Sequence, residues 1–319
     1  MSFSSDLKRE LCRLIPEKEC CLAAELAALL RSGGTLVVVG NDPPLLTLST
    51  TVPALAGKAF TMARKLFGIS GTIRLRQTRK PGIRTDYLLE WDLTEKHWYR
   101  VLDPLGFLSG GSFNPGIIPH SMVARRCCRR AVFRGFFLGG GYIEDPHHNY
   151  HLGLRLTYFT VAEWLENLLK QAGLAAHLRE LDKAIEVYMK GGNDIGTFLA
   201  MIKAVRSLLL FEEIRVEKSL RNRVNRLVNC ETANLSRTVD SCIKQIRDIR
   251  YLERIGIMDT LPEPLQEAAK LRLQYPLASL RQLADLIDVS VSRSCINHRL
   301  RKLHKLVKAR LDEEKGRPI

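Results

Sequence analysis

Apolar residues along the first 200 positions switch between a helical and an alternating period in an order that repeats. In SSDLKRELCRL a serine cap precedes Leu7, Leu11 and Leu14, which predicts a short amphipathic helix. Residues 20–32, CCLAAELAALLRS, are apolar and alanine-rich, as suits a helix packed closely on a partner, and Gly33-Gly34 ends it. TLVVVG and LLTLST read as strands around the turn Asp42-Pro43-Pro44. VPALAGKAFTMARKLFG restarts a helix with Gly68 as its C-cap, and strands follow in GTIRLRQTR and from Arg84 to Trp91, separated by Pro81-Gly82.

After a Gly- and Pro-rich loop from Pro104 to Pro119, the same order returns. A helix is expected over 121–139, a hairpin over 141–145 and 150–157 around Asp145-Pro146, and a helix over 160–172 ended by Gly173. A second hairpin runs from His177 to Leu181 and from Ala184 to Met189, and Gly191-Gly192-Asn193 opens another helix near Asp194. Two copies of a helix-hairpin-helix-hairpin unit predict a pseudo-two-fold α+β domain, in which each half buries the other's apolar helix.

From Val216 onward the pattern is wholly helical. Val239, Ile243, Ile246, Ile249 and Leu252 form a stripe on a helix ending around Gly256, and Pro262 and Pro264 start another that runs to about Gln274. Residues 279–307, SLRQLADLIDVSVSRSCINHRLRKLHKLV, then carry a helix-turn-helix pattern. Ser279 caps a first helix with Leu280, Leu283, Ala284 and Ile287 facing inward, and the small Ala284 lets a second helix cross closely. Asp288 to Ser290 form a turn about two residues longer than the commonest three-residue form. The second helix, entered at Ser292, turns Ile296, Leu300, Leu303 and Leu306 or Val307 to the core. The tail DEEKGRPI is expected to fray.

Charge sharpens the picture. The 319 residues contain 49 Lys and Arg against 34 Asp and Glu, a formal net charge of +15, which points to a polyanionic partner. Residues 215–310 hold 20 of those basic and 10 of the acidic side chains, so the excess gathers toward the C-terminus. On the second helix of the motif the polar face shows Arg293, Asn297, Arg301 and Lys305. Arginine can read guanine and asparagine adenine in the major groove, so Arg293, Ser294 and Asn297, nearest the helix start, are candidate base contacts. Ser292, Arg299, Arg301, Lys302 and Lys305 are candidate phosphate contacts.

A second cluster, RNRVNRLVNCETANLSRTVDSC, interleaves Arg221, Arg223, Arg226 and Arg237 with Asn222, Asn225, Asn229 and Asn234. Asparagine is a mediocre helix former, so this density suggests either a turn or a surface kept for contacts. It is taken as an auxiliary DNA surface formed by Arg221, Arg223, Asn225, Arg226, Asn229, Asn234 and Arg237. Arg74, Arg76, Arg79, Arg84 and Arg155 offer a more modest basic sheet face, with Arg74 and Arg76 on one side of their strand and Ile73 and Leu75 on the other. The run Arg125-Arg126-Cys127-Cys128-Arg129-Arg130 puts four positive charges at the positive end of a helix, so they need a partner, either phosphates or acids of the same chain.

The eight cysteines include two adjacent pairs, Cys20-Cys21 and Cys127-Cys128. None has CxxC spacing, and no His stands at finger spacing from them, so free thiols without metal or cofactor are expected. There is no apolar leader and no run near the ~20 apolar residues of a membrane span, so a cytoplasmic protein is expected, and with the DNA-binding faces above a nucleoid-associated one.

FRGFFLGGGYIEDPHHNYHL, NRVNRLVNCETANLSRT, LPEPLQEAAKLRLQYPLASLRQLADLI and VSRSCINHRLRKL together make the chain resemble, over nearly its whole length, the WhiA regulators of sporulation and cell division. The resemblance implies a LAGLIDADG homing-endonuclease-like domain joined to a helix-turn-helix similar to region 4 of sigma factors. In LAGLIDADG nucleases an acidic residue one place before each motif's final glycine helps to hold the catalytic metal. Here LAALLRSGG and FRGFFLGGG put Gly33 and Gly140 at those positions. Two-metal phosphodiester hydrolysis needs hard oxygen ligands, which a glycine side chain cannot supply. Asp42, Glu144 and Asp145, the nearest downstream acids, sit on hairpins offset from the helix ends.

The expected organisation is a first repeat over 1–103, a linker over 104–120, a second repeat over 121–214, a helical connector over 215–258 and a helix-turn-helix domain over 259–311. By resemblance, the expected function is regulation of division, chromosome segregation and, in spore formers, sporulation genes by binding double-stranded DNA, without nuclease activity. RNA polymerase or another transcription factor is a further candidate partner. The competing readings are an active nuclease and a protein-interaction module in which DNA binding is secondary.

Overall fold

The computed structural model describes residues 2–37, 45–79, 83–93, 98–109, 112–114, 116, 118–287 and 291–315. The chain divides into two compact units, Met1–Ser219 and Leu220–Ile319.

In the first unit, α1 (Phe3–Cys12) starts at Ser2, whose side chain accepts from the Ser5 amide, and buries Leu7 and Leu11. There follow α2 (Glu19–Gly33), β1 (Gly34–Val37), β2 (Leu45–Thr50), α3 (Pro53–Phe67), β3 (Thr72–Arg79) and β4 (Ile83–Asp92). Gly68 ends α3 in the left-handed conformation expected of its C-cap. A short helix, α4 (Trp98–Leu102), and a two-residue hairpin, β5 (Leu108–Ser109) with β6 (Ser112–Phe113), occupy a stretch that the sequence pattern left irregular. The second copy comprises α5 (Arg126–Gly140), β7 (Gly141–Ile143), β8 (Leu152–Leu156), α6 (Phe159–Gln171), β9 (His177–Leu181) and β10 (Ala184–Met189). Helix α5 begins later than the expected residue 121, after a single 3₁₀ turn at His120–Met122.

Both four-stranded sheets are antiparallel, in the orders β1-β2-β4-β3 and β7-β8-β10-β9. The matching order makes the two-fold repeat explicit. Its axis passes between α2 and α5, which pack along their lengths. The small residues make this approach possible: a Cβ on Gly135 would collide with the Glu25 carbonyl, and one on Gly139 with Ser32 and the Leu29 carbonyl. Leu26, Leu29, Phe133, Phe136 and Phe137 fill the surrounding core.

Inside that core lies a charge cluster. Glu25 on α2 is fully buried and pairs with Lys58 Nζ of α3 at 2.6 Å and with Arg134 of α5. Lys58 also donates to the Leu11 and Leu14 carbonyls, and burial pushes its ammonium below its usual range. Three helices are thus tied to one carboxylate.

The sequence treated the two cysteine pairs as unconnected thiols. The fold brings them together: the sulfurs of Cys20, Cys21, Cys127 and Cys128 all lie within 4.8 Å of one another, at the N-terminal ends of α2 and α5. The absence of a spacing signal therefore did not mean the absence of a cluster.

After α7 (Gly192–Met201) comes α8 (Val205–Arg254), a continuous helix of 50 residues. The expected boundary at 214/215 falls inside it. The second unit holds the C-terminal part of α8, then α9 (Glu263–Gln274), α10 (Leu280–Asp285) and α11 (Arg293–Lys315), with Gly256 at positive φ turning the chain after α8. Of the expected stripe on α8, Ile249 and Leu252 are buried, but Ile243 is exposed and Cys242 takes an inward position. Helix α11 carries Asp312 to Lys315 in helical form, in place of fraying from Asp312; residues 316–319 lie outside the described residues.

Candidate nucleic-acid interface

The second unit builds a rigid platform for one helix. Ser279 accepts from the Gln282 amide while the Gln282 side chain accepts from the Ser279 amide, a capping box that fixes the start of α10. Leu283 and Ala284 of α10 and Ile296, Leu300, Leu303 and Val307 of α11 close a core with Leu265, Ala268 and Ala269 of α9 and Ile249 and Leu252 of α8. Leu280, Ile287 and Leu306 pack at its margin. The turn assigned to Asp288–Ser290 lies outside the described residues.

Three charged side chains hold this platform, and sequence reasoning passed over two of them, Arg272 and His304. Arg272 is buried at the end of α9 and donates through Nη1 to the Ala278 carbonyl at 2.6 Å, bracing the connection into α10; burial lowers its pKa. His304 Nδ1 lies 2.7 Å from Asp248 Oδ2, linking α11 to α8. Arg299 pairs with Glu267 Oε2 of α9 at 2.9 Å and is largely covered. Arg299 and His304 meet partners 32 and 56 residues away, whereas Arg272 turns back on carbonyls three to six residues on; helical period alone marks none of them.

Arg299, expected among the phosphate contacts, is engaged by Glu267 within the domain. Ser292 Oγ accepts from the Cys295 amide at 3.3 Å and lies 2.8 Å from Ser294 Oγ, so it works as the N-cap of α11. Arg293, Ser294, Arg301, Lys302 and Lys305 are exposed, and Asn297 is half-buried between them and the core side. Arg293, Asn297, Arg301 and Lys305 recur every fourth residue, a line along α11 that starts beside the Ile296 and Leu300 seam and winds away from it toward Lys305.

The Arg/Asn cluster forms no turn. Arg221, Arg223, Asn225, Arg226, Asn229, Asn234 and Arg237 all lie in α8, and all are exposed. At helical spacing Asn225, Arg226, Asn229 and Arg237 lie on the far side from Leu220, Val224, Leu227, Val228 and Leu235, which are exposed as well, while Arg221, Arg223 and Asn234 flank that apolar strip.

In the first unit, Gly33 and Gly140 end α2 and α5. A Cβ on Gly33 would meet Gly139 Cα at 3.1 Å, and one on Gly140 would run into the Arg155 carbonyl oxygen. Asp145 accepts from the His147 amide at 2.9 Å in its hairpin turn, and the Glu144 amide donates to the His151 carbonyl. Asp42 is outside the described residues. The basic sheet face is partly neutralised: Arg74 Nε is 2.8 Å from Glu90, and the buried Glu186 accepts from Tyr142 at 2.6 Å, pairs with Arg179 and has Arg155 Nε at 4.0 Å. Register confirms that Arg74 and Arg76 share a face and Ile73 and Leu75 the other, while the side chains of Arg79 and Arg84 lie outside the described residues.

Three family models match the chain: the WhiA N-terminal LAGLIDADG-like domain over residues 19–103, the WhiA LAGLIDADG-like domain over 129–221 and the WhiA C-terminal HTH domain over 224–307. A probable cell division protein WhiA of Alkaliphilus metalliredigens is 40% identical over the whole of both chains. One of Heliobacterium modesticaldum is 41% identical over 97% of each. The crystal structure of full-length WhiA from Thermatoga maritima shares the fold with a TM-score of 0.58 at 23% identity, covering 97% of this chain and 99% of that one. With its repeated α+β unit, its helix-turn-helix and relatives matched from end to end, the chain belongs to the WhiA family.

Proposed function

We propose that this protein is a non-cleaving, double-stranded DNA-binding regulator of transcription acting in cell division and chromosome segregation and, in spore-forming hosts, in sporulation. The observation that carries the reading is the line Arg293, Asn297, Arg301 and Lys305 on α11, projecting from a core locked by the Ser279 box, Arg272 and the His304–Asp248 contact. A recognition helix needs this combination of an exposed polar edge and fixed orientation. Arg293, Ser294 and Asn297 are assigned to base edges; Arg301, Lys302 and Lys305, with the Ser292-capped helix start, are assigned to phosphates. The Arg/Asn side of α8 supplies auxiliary phosphate contacts. The relatives' printed name supports the division role.

The LAGLIDADG-like unit serves as scaffold and not as nuclease. Glycine at 33 and 140 offers no carboxylate, and a Cβ would meet Gly139 Cα of the facing helix at 33 and the Arg155 carbonyl of β8 at 140, crowding that supports a non-cleaving role. The protein acts at the nucleoid in the cytoplasm, with RNA polymerase or another transcription factor as a further partner.

Genome-wide crosslinking of the full chain supplies bound sites, and duplexes from those sites allow comparison with scrambled controls. The Arg293→Ala/Asn297→Ala double variant is expected to lose its preference for the cognate duplex by at least tenfold while staying folded. An unchanged preference would overturn the assignment. The exposed apolar residues of α8, Val224, Leu227, Val228 and Leu235, favour a second reading, a protein-docking role. Retained cellular function in the double variant despite lost DNA binding would select it.

A further inference from the structure

The four Arg at the start of α5 and the four thiols beside them remain unexplained by DNA binding. Cys20 and Cys21 occupy the second and third positions of the 15-residue α2, and Cys127 and Cys128 the same positions of the 15-residue α5. The pseudo-two-fold therefore superposes one pair on the other and delivers four sulfurs to a single point between the helices.

The geometry points to a structural zinc site formed by Cys20, Cys21, Cys127 and Cys128, which staples the two repeats at the N-terminal ends of their central helices. In a tetrahedral tetrathiolate centre Zn–S is about 2.3 Å, which sets sulfurs about 3.8 Å apart. Cys127 and Cys128 Sγ are already 3.9 Å apart, and no pair of the four exceeds 4.8 Å. Less than about an ångström of contraction per pair closes the shell. All four are free thiols, two buried and two half-buried, and Cys21 and Cys127 line a surface cavity with Lys18 and Arg130, which gives an ion a way in.

Charge balance supports the same assignment. Binding releases one proton from each of the four thiols to solvent, so Zn²⁺ with four thiolates leaves a net charge of −2. Arg125 Nη1 lies 4.0 Å from Cys20 Sγ, Lys18 is the N-cap of α2, Arg126, Arg129 and Arg130 follow on α5, and two helix N-termini add their partial positive charge. The arginines that oppose the dipole of α5 thereby gain an anionic partner within the chain. Soft thiolates and a closed four-coordinate shell favour Zn²⁺ over Mg²⁺ or Ca²⁺, and leave no open position for catalysis. The site is about 22 Å, one helix length, from the Gly33 and Gly140 ends, so it is distinct from the vestigial nuclease centre.

The test uses the full chain purified under reducing conditions without chelator. Elemental analysis is expected to find one zinc per chain. Replacement by Co²⁺ is expected to give the intense thiolate charge-transfer band and tetrahedral d–d bands of a sulfur-bound ion. Removing the ion with a strong chelator should lower Tm of the first unit by about 5–10 °C, because an ion that binds only the folded state stabilises it. Cys20→Ser/Cys127→Ser, at the two half-buried positions, should reduce bound zinc to below a tenth. Should that variant fail to fold, the wild-type Co²⁺ spectrum decides alone. A metal-free wild type that takes up neither Zn²⁺ nor Co²⁺ with four reactive thiols overturns the proposal. So does a chain lighter by two hydrogens per disulfide at these cysteines with no zinc bound.

Discussion

Arg134 Nε on α5 donates to Glu25 Oε2 on α2 at 2.9 Å, across the pseudo-two-fold axis and 109 residues away in sequence. Both side chains are buried, and Lys58 shares the same carboxylate. This triad replaces apolar packing at the centre of the first unit, and it commits α2, α3 and α5 to one relative placement.

Removing the shared carboxylate leaves two cations in the core. Glu25→Ala is therefore expected to destabilise the first unit by about 3–5 kcal/mol, since breaking a buried pair strands the other charge. Denaturant unfolding followed by a probe in that unit measures it, and a loss below about 1 kcal/mol would show that the cluster contributes little.

Burial also holds the Lys8 ammonium on α1 down to about pH 8 from its ordinary 10.5, over the Phe137 ring. Between about pH 8 and 10.5 the unfolded chain binds this proton more firmly than the folded one, so the contribution of Lys8 to stability rises with pH there; below pH 8 its desolvation cost is fully present. Lys8→Met should be more stable than wild type at pH 7. That advantage should shrink above pH 8 by up to about 1.4 kcal/mol per pH unit, read as the difference between two unfolding series.

On the DNA side, counterion release separates contacts from bystanders. Each of Arg301→Gln, Lys302→Gln and Lys305→Gln should weaken binding to all sequences and reduce the slope of log K against log salt by about 0.9. Arg223→Gln and Arg226→Gln, on α8, should each do the same if that side of the helix lies along the backbone. An unaltered slope removes α8 from the interface.

Arg299→Ala should behave differently from its neighbours on α11. Its partner is Glu267, so the variant is expected to lose up to about 1 kcal/mol of stability and to leave the salt slope unchanged. Glu267→Ala should mirror it. A slope that falls with Arg299→Ala returns this residue to the phosphate contacts.

Placing an acid at residue 140 is not expected to confer cleavage. A side chain at 140 meets the Arg155 carbonyl, so Gly140→Asp is expected to lower Tm and to give no magnesium-dependent nicking of supercoiled DNA. Nicking above the wild-type level would show that the fold still accommodates a catalytic metal.

Period and punctuation in the sequence determined much of this protein. Alternation at Ile73 to Arg76, the helical spacing of Leu7 and Leu11, and the return of the same order after residue 120 set out both sheets and their repeat. Ser279, Ala284 and Ile296 set out the helix-turn-helix, because caps, crossings and core faces are written within a few residues of one another. Helix α8 was harder to read: four asparagines left a turn and a contact surface both open, and the helix continues through them, a small propensity cost spread along 50 residues.

What only the tertiary structure decided are the pairings between distant residues. Arg299 looked like every other cation on α11 until Glu267 came within 2.9 Å, and Glu25 looked like one more helical acid until Lys58 and Arg134 closed on it. Cys20-Cys21 and Cys127-Cys128 carry no ligand spacing along the chain, because their proximity is created by the crossing of α2 and α5. Local sequence specifies backbone conformation through short-range sterics and hydrogen bonds, whereas the meeting of side chains a hundred residues apart exists only once the helices have packed.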